Sequence, residues 1–374
     1  MKIIGHFPHP VAFCILVFLV LGGLMACSRQ SQSFDEPQAS NSESFTMPVN
    51  PTASVLKSGN VFVEVRRDIV LDYEIILDAA INPDKDILAI SIDEDLWLYD
   101  AATLVPLWKY EGRVDNEPPG KAVWSPDGEQ LLLWRNHHDN WTASIVDGES
   151  WHEIQQLAGD TFRAGNPRWS PDGSQIAFAS HDGFAHIWDV DRDEELVALA
   201  AKVGSGNPLS WSTNGERLAV GGQGLVSVWD THTWQPIYEF EYDLGGYGYN
   251  WIGNMVWAPD GEMLAGIAGS SSHKWLWNVD ERTSEELPHL GSISNAVLWS
   301  QDGTSLVFGG DGKIQVLDVT SNTLVTELTS AAYRVVEFVW LKDETQLLVV
   351  GANRIEIWDM ENHQLIRTVN VGEK

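Results

Sequence analysis

The residues able to do chemistry are few, and most of them stand alone. Both cysteines, Cys14 and Cys27, fall within the first 27 residues. The rest of the chain therefore offers no thiolate nucleophile, no Cys-ligated zinc and no disulfide framework. His137-His138-Asp139-Asn140 carries metal-ligand types but has no second ligand group, so a polar turn is expected there. Asp189-Val190-Asp191-Arg192-Asp193-Glu194-Glu195 opens like a calcium loop, yet Glu194 and Ala200 stand where that loop needs Gly and Glu. It reads as an acidic turn, and Asp93-Glu94-Asp95 as a solvated one. A Gly-x-Ser-x-Gly elbow, a Walker loop, a dinucleotide fingerprint and His-Glu-x-x-His are all missing. No catalytic residue, metal or cofactor is expected. The segment Leu244-Gly245-Gly246-Tyr247-Gly248-Tyr249-Asn250-Trp251 is different. Three aromatics spaced by glycines suit contact with a protein partner or a glycan, or packing into the fold.

Charge narrows the partners. The chain has 53 acidic and 23 basic residues, a net −30. Such a polyanion lacks the clustered Lys and Arg that phosphate contacts require, which excludes nucleic acid. It is also repelled by anionic lipid headgroups, so any membrane attachment needs another device.

The N-terminus supplies one. Val11 to Leu21 is an unbroken apolar run after Lys2, short for a transmembrane helix and suited to a signal-peptide core. The following Leu24-Met25-Ala26-Cys27 resembles the lipobox of bacterial lipoproteins. That resemblance implies cleavage before Cys27, a lipid on its thiol, and a membrane-anchored protein of the bacterial cell envelope facing the periplasm or exterior. Two or three acyl chains suffice for stable anchoring. From residue 28 to about 58 the chain is rich in Ser, Gln, Asn, Pro and Thr, a composition that cannot build a core. As a coil of about 30 residues it would span roughly 30 Å. The expected organisation is a signal peptide over 1–26, a tether over 27–58 and one folded domain over 59–374.

That domain repeats. Trp-Ser-Pro-Asp-Gly occurs at 124–128 and 169–173. Degenerate copies begin at Trp211, Trp257, Trp299 and Trp340, and an earlier one, Ile81-Asn82-Pro83-Asp84-Lys85, lacks the Trp. The steps between lead residues are 43, 45, 42, 46, 42 and 41. Each unit holds an apolar strand such as Gln175 to Ser180, a tight turn, and a strand ending in Trp-Asp at 188–189, 229–230 and 358–359. Variants of that ending are Tyr99-Asp100, Val146-Asp147, Trp277-Asn278 and Leu317-Asp318. A period of this size with short strands is the signature of a propeller.

Over roughly residues 70–370 the chain resembles the WD-repeat family, in a divergent bacterial form. The resemblance implies an all-β fold: a seven-bladed β-propeller of four-stranded antiparallel blades. The Gly-His dipeptide that precedes Trp-Asp in the family is missing, so the family's His–Asp–Ser–Trp tetrad cannot form. The Trp-Ser-Pro-Asp-Gly turn is also similar to that of the Tol–Pal propeller, a family with six blades and an extra α/β domain. The first unit ends like a quinoprotein-type blade, Tyr99-Asp100-Ala101-Ala102-Thr103 with Trp108. Tryptophans ending the innermost strands (124, 169, 211, 257, 299, 340) and the third strands (97, 188, 229, 277, 358) should wedge between blades. Either Gln364 to Val369 or Val61 to Val65 should complete the final blade.

The family's layout puts inter-blade connections and central turns on one face. Tyr247, Tyr249, Trp251, Arg113, Arg163 and Arg334 are the expected partner-binding residues there, alongside His137, His181 and His273. Two functions remain open. One is a non-enzymatic scaffold, monomeric and lipid-anchored through Cys27, which binds protein partners. The other is a propeller that holds a small ligand, or catalyses, in its central channel.

Overall fold

The computed structural model describes residues 76–370, except 85, 93–94, 111–120, 138–139, 158–163, 181, 202–206, 243–250, 269–272, 289, 292, 333 and 342–344. The signal, lipidation and tether expectations, and the strand proposed at Val61 to Val65, lie outside these residues. So do Arg113, Arg163, His181, Tyr247 and Tyr249.

Seven four-stranded antiparallel sheets follow one another along the chain. They form blades 1 to 7 over residues 76–110, 121–157, 164–199, 209–241, 252–286, 296–329 and 335–370. The innermost strands are Ile76–Ile81, Lys121–Trp124, Ala164–Trp169, Leu209–Trp211, Ile252–Trp257, Ala296–Trp299 and Val335–Trp340. Each contacts the next, and the last contacts the first, so the ring closes. Every blade is continuous in sequence. The outer strand of blade 7 is its own Gln364–Asn370, which pairs with Arg354–Asp359. The closing seam is held by a buried apolar cluster shared by blades 1 and 7, including Ile76, Ile90, Leu348 and Ile357. Ile76 N–H also donates to Ala352 O at 3.0 Å.

The second strand of each blade is apolar on both faces, as a sheet covered on both sides requires. Gln175–Ser180 and Gln346–Gly351 each show five consecutive buried residues. Burying both faces makes each blade depend on its neighbours.

The lead tryptophans make that dependence specific. Each indole of Trp169, Trp211, Trp257 and Trp299 donates its Nε1–H to the preceding blade, to Val123 O, Arg168 O, Ser210 O and Val256 O, at 2.9–3.2 Å. Trp340 does so one residue later, to Trp299 O at 2.8 Å. Trp124 follows the blade whose lead residue is Ile81 and not a tryptophan, and its Nε1 has no hydrogen-bond partner. It packs edge-on against Trp151 instead, which stacks on Trp108 of blade 1 at 5.0 Å. Of the third-strand set, Trp188, Trp229, Trp277 and Trp358 are buried. Trp97 lies two residues before the closing position, half-buried against the closing seam.

Turn chemistry sets the register. In blade 3, Ser170 Oγ donates to Asp172 at 2.6 Å and accepts Gln175 N–H at 2.9 Å. The Ser125 and Ser300 turns repeat this box. Gly128 ends its turn at φ +67, and an added Cβ would stand 2.5 Å from Asn82 Oδ1, the amide that crosses from blade 1. At the third turn of each blade, the Asp or Asn that follows the closing residue accepts N–H groups two or three residues on, as at Asp147, Asp230 and Asp359. Four residues after that position the backbone is left-handed at a non-glycine residue in all seven blades: Leu104, Trp151, Asp193, Trp234, Arg282, Asn322 and His363, with φ between 53 and 60. Aromatic packing offsets the strain twice, as Trp151 meets Trp124 and Trp234 meets Trp211.

Truncating a seam indole should therefore be costly. Trp169→Ala or Trp299→Ala is expected to cost about 3–5 kcal/mol in a denaturant titration. Trp169→Phe, which removes the bond to Val123 O, should cost about 1 kcal/mol more than Trp124→Phe. Equal costs for the two Phe variants would contradict the cross-seam bond.

Candidate functional site

Strand alternation puts the first and third turns of each blade on one face, the turn face. The central turns and inter-blade connections occupy the other, the loop face. The loop face is held from beneath by one register position, two residues before the closing residue of the third strand. Its occupants are Trp97, Ser144, His186, Ser227, Trp275, Gln315 and Glu356. Five of them are buried polar residues. Glu356 accepts from Ser330 Oγ at 2.7 Å, Ala331 N–H at 3.1 Å and Trp358 Nε1–H at 2.8 Å, which pins the blade 6–7 connection. Gln315 donates to Leu290 O at 2.9 Å and so pins the blade 5–6 connection. His186 sits between Asp182 and Glu195, each 3.0 Å from a ring nitrogen, and stacks on Phe178. In blades 3, 6 and 7 this position thus carries three different polar networks.

The described members of the expected binding set sit on the loop face but on separate blades. Trp251 leads into blade 5, bridges Gln223 of the blade 4 central turn, and is 37% exposed. Tyr242 anchors the near end of that aromatic connection, donating its hydroxyl to Gly222 O at 2.8 Å, and burial pushes its pKa up to about 12. Arg334 is exposed at the entrance to blade 7, left-handed at φ 46, and its carbonyl accepts Ala352 N–H at 3.1 Å. His273 pairs with Glu286 within blade 5. His137 ends a strand of blade 2, and only its backbone is described. Phe184 and Ile293, 38% and 41% exposed, join this face, and the sequence reading missed both. Phe184 had a legible signal, since it follows the Asp182-Gly183 tight turn.

Beside His273, Lys274 is fully buried with its ammonium 5.3 Å from the Phe308 ring centroid. Desolvation lowers its pKa to about 8. Several carboxylates of the turn face cap their own turns. Hydrogen bonds from Thr233, Ser321 and Asn362 hold Asp230, Asp318 and Asp359 below the usual carboxylate range.

The central channel gathers a second set. Asp78, Lys121, Arg168 and Glu337 lie on the innermost strands of blades 1, 2, 3 and 7, which adjoin around the ring. Glu337 is half-buried on the innermost strand of blade 7. Desolvation pushes its pKa up to about 7; Arg168 and Lys121 oppose the shift, and Asp78 adds to it.

Residues 164–189, most of blade 3, match the family model "WD domain, G-beta repeat". The chain is similar to WD repeat-containing protein 1 of Xenopus tropicalis, 24% identical over 42% of this chain. It is 25% identical to the APC/C activator protein CDC20 of Saccharomyces cerevisiae over 59% of this chain. The matches support a divergent WD-repeat protein. It is also 30% identical to the small ribosomal subunit protein RACK1 of Schizosaccharomyces pombe over 25% of this chain. The matches span 34%, 35% and 31% of those three relatives.

The channel carboxyl gives a signed prediction. A raised acid pKa means the folded state holds that proton more tightly than the unfolded chain, so this contribution to stability is lost as pH rises from about 4.5 to above 7. Glu337→Gln should match the parent near pH 4 and be more stable near pH 8 in urea titrations. A difference independent of pH would contradict the raised pKa of this carboxyl.

Proposed function

We propose that this chain is a non-enzymatic interaction scaffold that binds protein partners through the loop face of its propeller. The observation that carries the reading is the division of labour among polar side chains. Interior and turn residues such as Glu356, Gln315 and Asp230 are spent on anchoring connections and capping turns. Exposed large side chains, Phe184, Trp251, Ile293 and Arg334, remain on the face they rigidify. Aromatic and arginine anchors on a preorganised surface suit a protein partner. The relatives' printed names support this, since two of them are titled for larger assemblies, the APC/C and the small ribosomal subunit. Tyr247, Tyr249, Arg113 and Arg163 complete the proposed surface.

The scaffold is displayed outside the cytoplasm of a bacterium. Residues 1–26 serve as signal peptide, Cys27 carries the lipid, 27–58 form the tether and 59–374 the propeller. The lipobox-like Leu24-Met25-Ala26-Cys27 supports this. A second reading, a small polar ligand in the channel, is favoured by the four ionisable side chains of Asp78, Lys121, Arg168 and Glu337. It would show as a ligand-specific thermal shift that Glu337→Gln removes.

Crosslinking capture from native membranes tests the scaffold reading. One partner should be enriched, and it should be lost when Tyr247, Tyr249 and Trp251 are replaced together by Ala. The Cys27→Ala chain should leave the membrane fraction. Capture unaffected by the triple replacement would contradict the proposed surface, and a Cys27→Ala chain still in the membrane would contradict the anchor.

A further inference from the structure

The seams of the turn face compare the same positions under different side chains. Between blades 4 and 5, Arg217 crosses the seam, donates to Gly261 O at 3.2 Å and pairs with Asp280. Arg217 lies six residues after the lead Trp211, and Asp280 three after the closing Trp277. Between blades 3 and 4 the same two positions are Gln175 and His232. Neither can rebuild the ion pair. A cleft of about 440 Å³ opens there, lined by Asp172, Gln175, Trp211, Asn214, Gly215 and His232. Between blades 5 and 6 the positions are Met263 and Thr320, and a cleft of about 590 Å³ opens again. The bridged seam is thus flanked by two unbridged ones.

The blade 3–4 cleft keeps the acceptors that Arg217 uses one seam away. Gly215 O is the counterpart of Gly261 O, four residues after the lead tryptophan. It accepts Thr231 Oγ1 at 2.7 Å and has a second lone pair. The carboxylate moves from the Asp280 position to Asp172, which lines the same cleft. Burial alone would raise the Asp172 pKa, but hydrogen bonds from Ser170 and Ser174 hold it below the ordinary value, so it is ionised at neutral pH. The Trp211 indole N–H is spent on Arg168 O, and its half-buried ring, packed T-shaped with Trp234, also borders the cleft, where a cation can lie against it. A planar cation that donates to a carboxylate and a carbonyl while stacking on an indole is a guanidinium.

We propose that the cleft between blades 3 and 4 receives an arginine side chain of a protein partner, whose guanidinium takes the place that Arg217 fills in the neighbouring seam. The source of the arginine rests on the scaffold reading, while the chemistry of the cleft does not. Asp172→Asn and Gln175→Arg are suitable variants. Asn already stands at the Asp172 position in blade 4, as Asn214, and Arg at the Gln175 position, as Arg217.

The test is a titration of tryptophan-labelled protein with N-acetyl-arginine amide, followed by the Trp211 indole resonance, with N-acetyl-citrulline amide as the uncharged isostere. Saturable binding with a Kd on the order of 1 mM is expected, a value ordinary for a single side chain. The citrulline compound and Asp172→Asn should each weaken it about tenfold, the loss of one charge-assisted pair. Gln175→Arg should abolish it by bridging the seam in cis. Equal binding of the two compounds, or undiminished binding by either variant, would overturn the proposal. Probe binding without any captured partner would leave the cleft standing and sink the scaffold. A captured partner without probe binding would sink the cleft alone.

Discussion

The bond from a lead indole to a carbonyl of the preceding blade is the constraint on which the ring depends. Apolar packing between twisted sheets is tolerant of angle, whereas an indole N–H bond fixes one acceptor in distance and direction. Trp169, Trp211, Trp257, Trp299 and Trp340 place five such bonds in succession, locking blades 2 to 7 in sequence. Both seams of blade 1 lack it, because Ile81 has no donor and the Trp124 N–H has no partner. The blade 1–2 seam relies on the Trp108–Trp151–Trp124 stack, and the blade 7–1 seam on the shared apolar cluster. Blade 1 is therefore the natural place for the ring to open.

A repeat that fixes the frame in this way frees other positions to vary. The position beneath the loop face holds an imidazole in blade 3, an amide in blade 6 and a carboxylate in blade 7, each anchoring a different connection or turn. The seam position of the turn face holds Arg217 in blade 4 but Gln175 in blade 3 and Met263 in blade 5, and there the seam closes or opens accordingly. Function on such a fold resides in departures from the repeat, which the frame holds rigid.

Much of the frame was legible in the sequence because it is local and repeated. Phased Trp-Ser-Pro-Asp-Gly turns and Trp-Asp endings were enough to count the blades, and Gln364–Asn370 took the outer slot of blade 7 as one of two expected candidates. The left-handed residue after each Trp-Asp was hidden because its identity ranges from Leu104 to His363 and never includes glycine. The missing Gly-His dipeptide, which implied loss of the family tetrad, was legible. Its replacement by Ser330, Glu356 and Trp358 was not, since the loop and the strand lie 26 residues apart. The channel set was hidden for the same reason. Asp78 and Glu337 stand near opposite ends of the chain, and ring closure alone brings them together.

The most direct test of the frame is hydrogen exchange at the tryptophan indole N–H groups, resolved by NMR. Trp169, Trp211, Trp257, Trp299 and Trp340 should be strongly protected, while the exposed Trp251 exchanges freely. Exchange of the five at the rate of Trp251 would contradict the account that cross-seam indole bonds hold the propeller together.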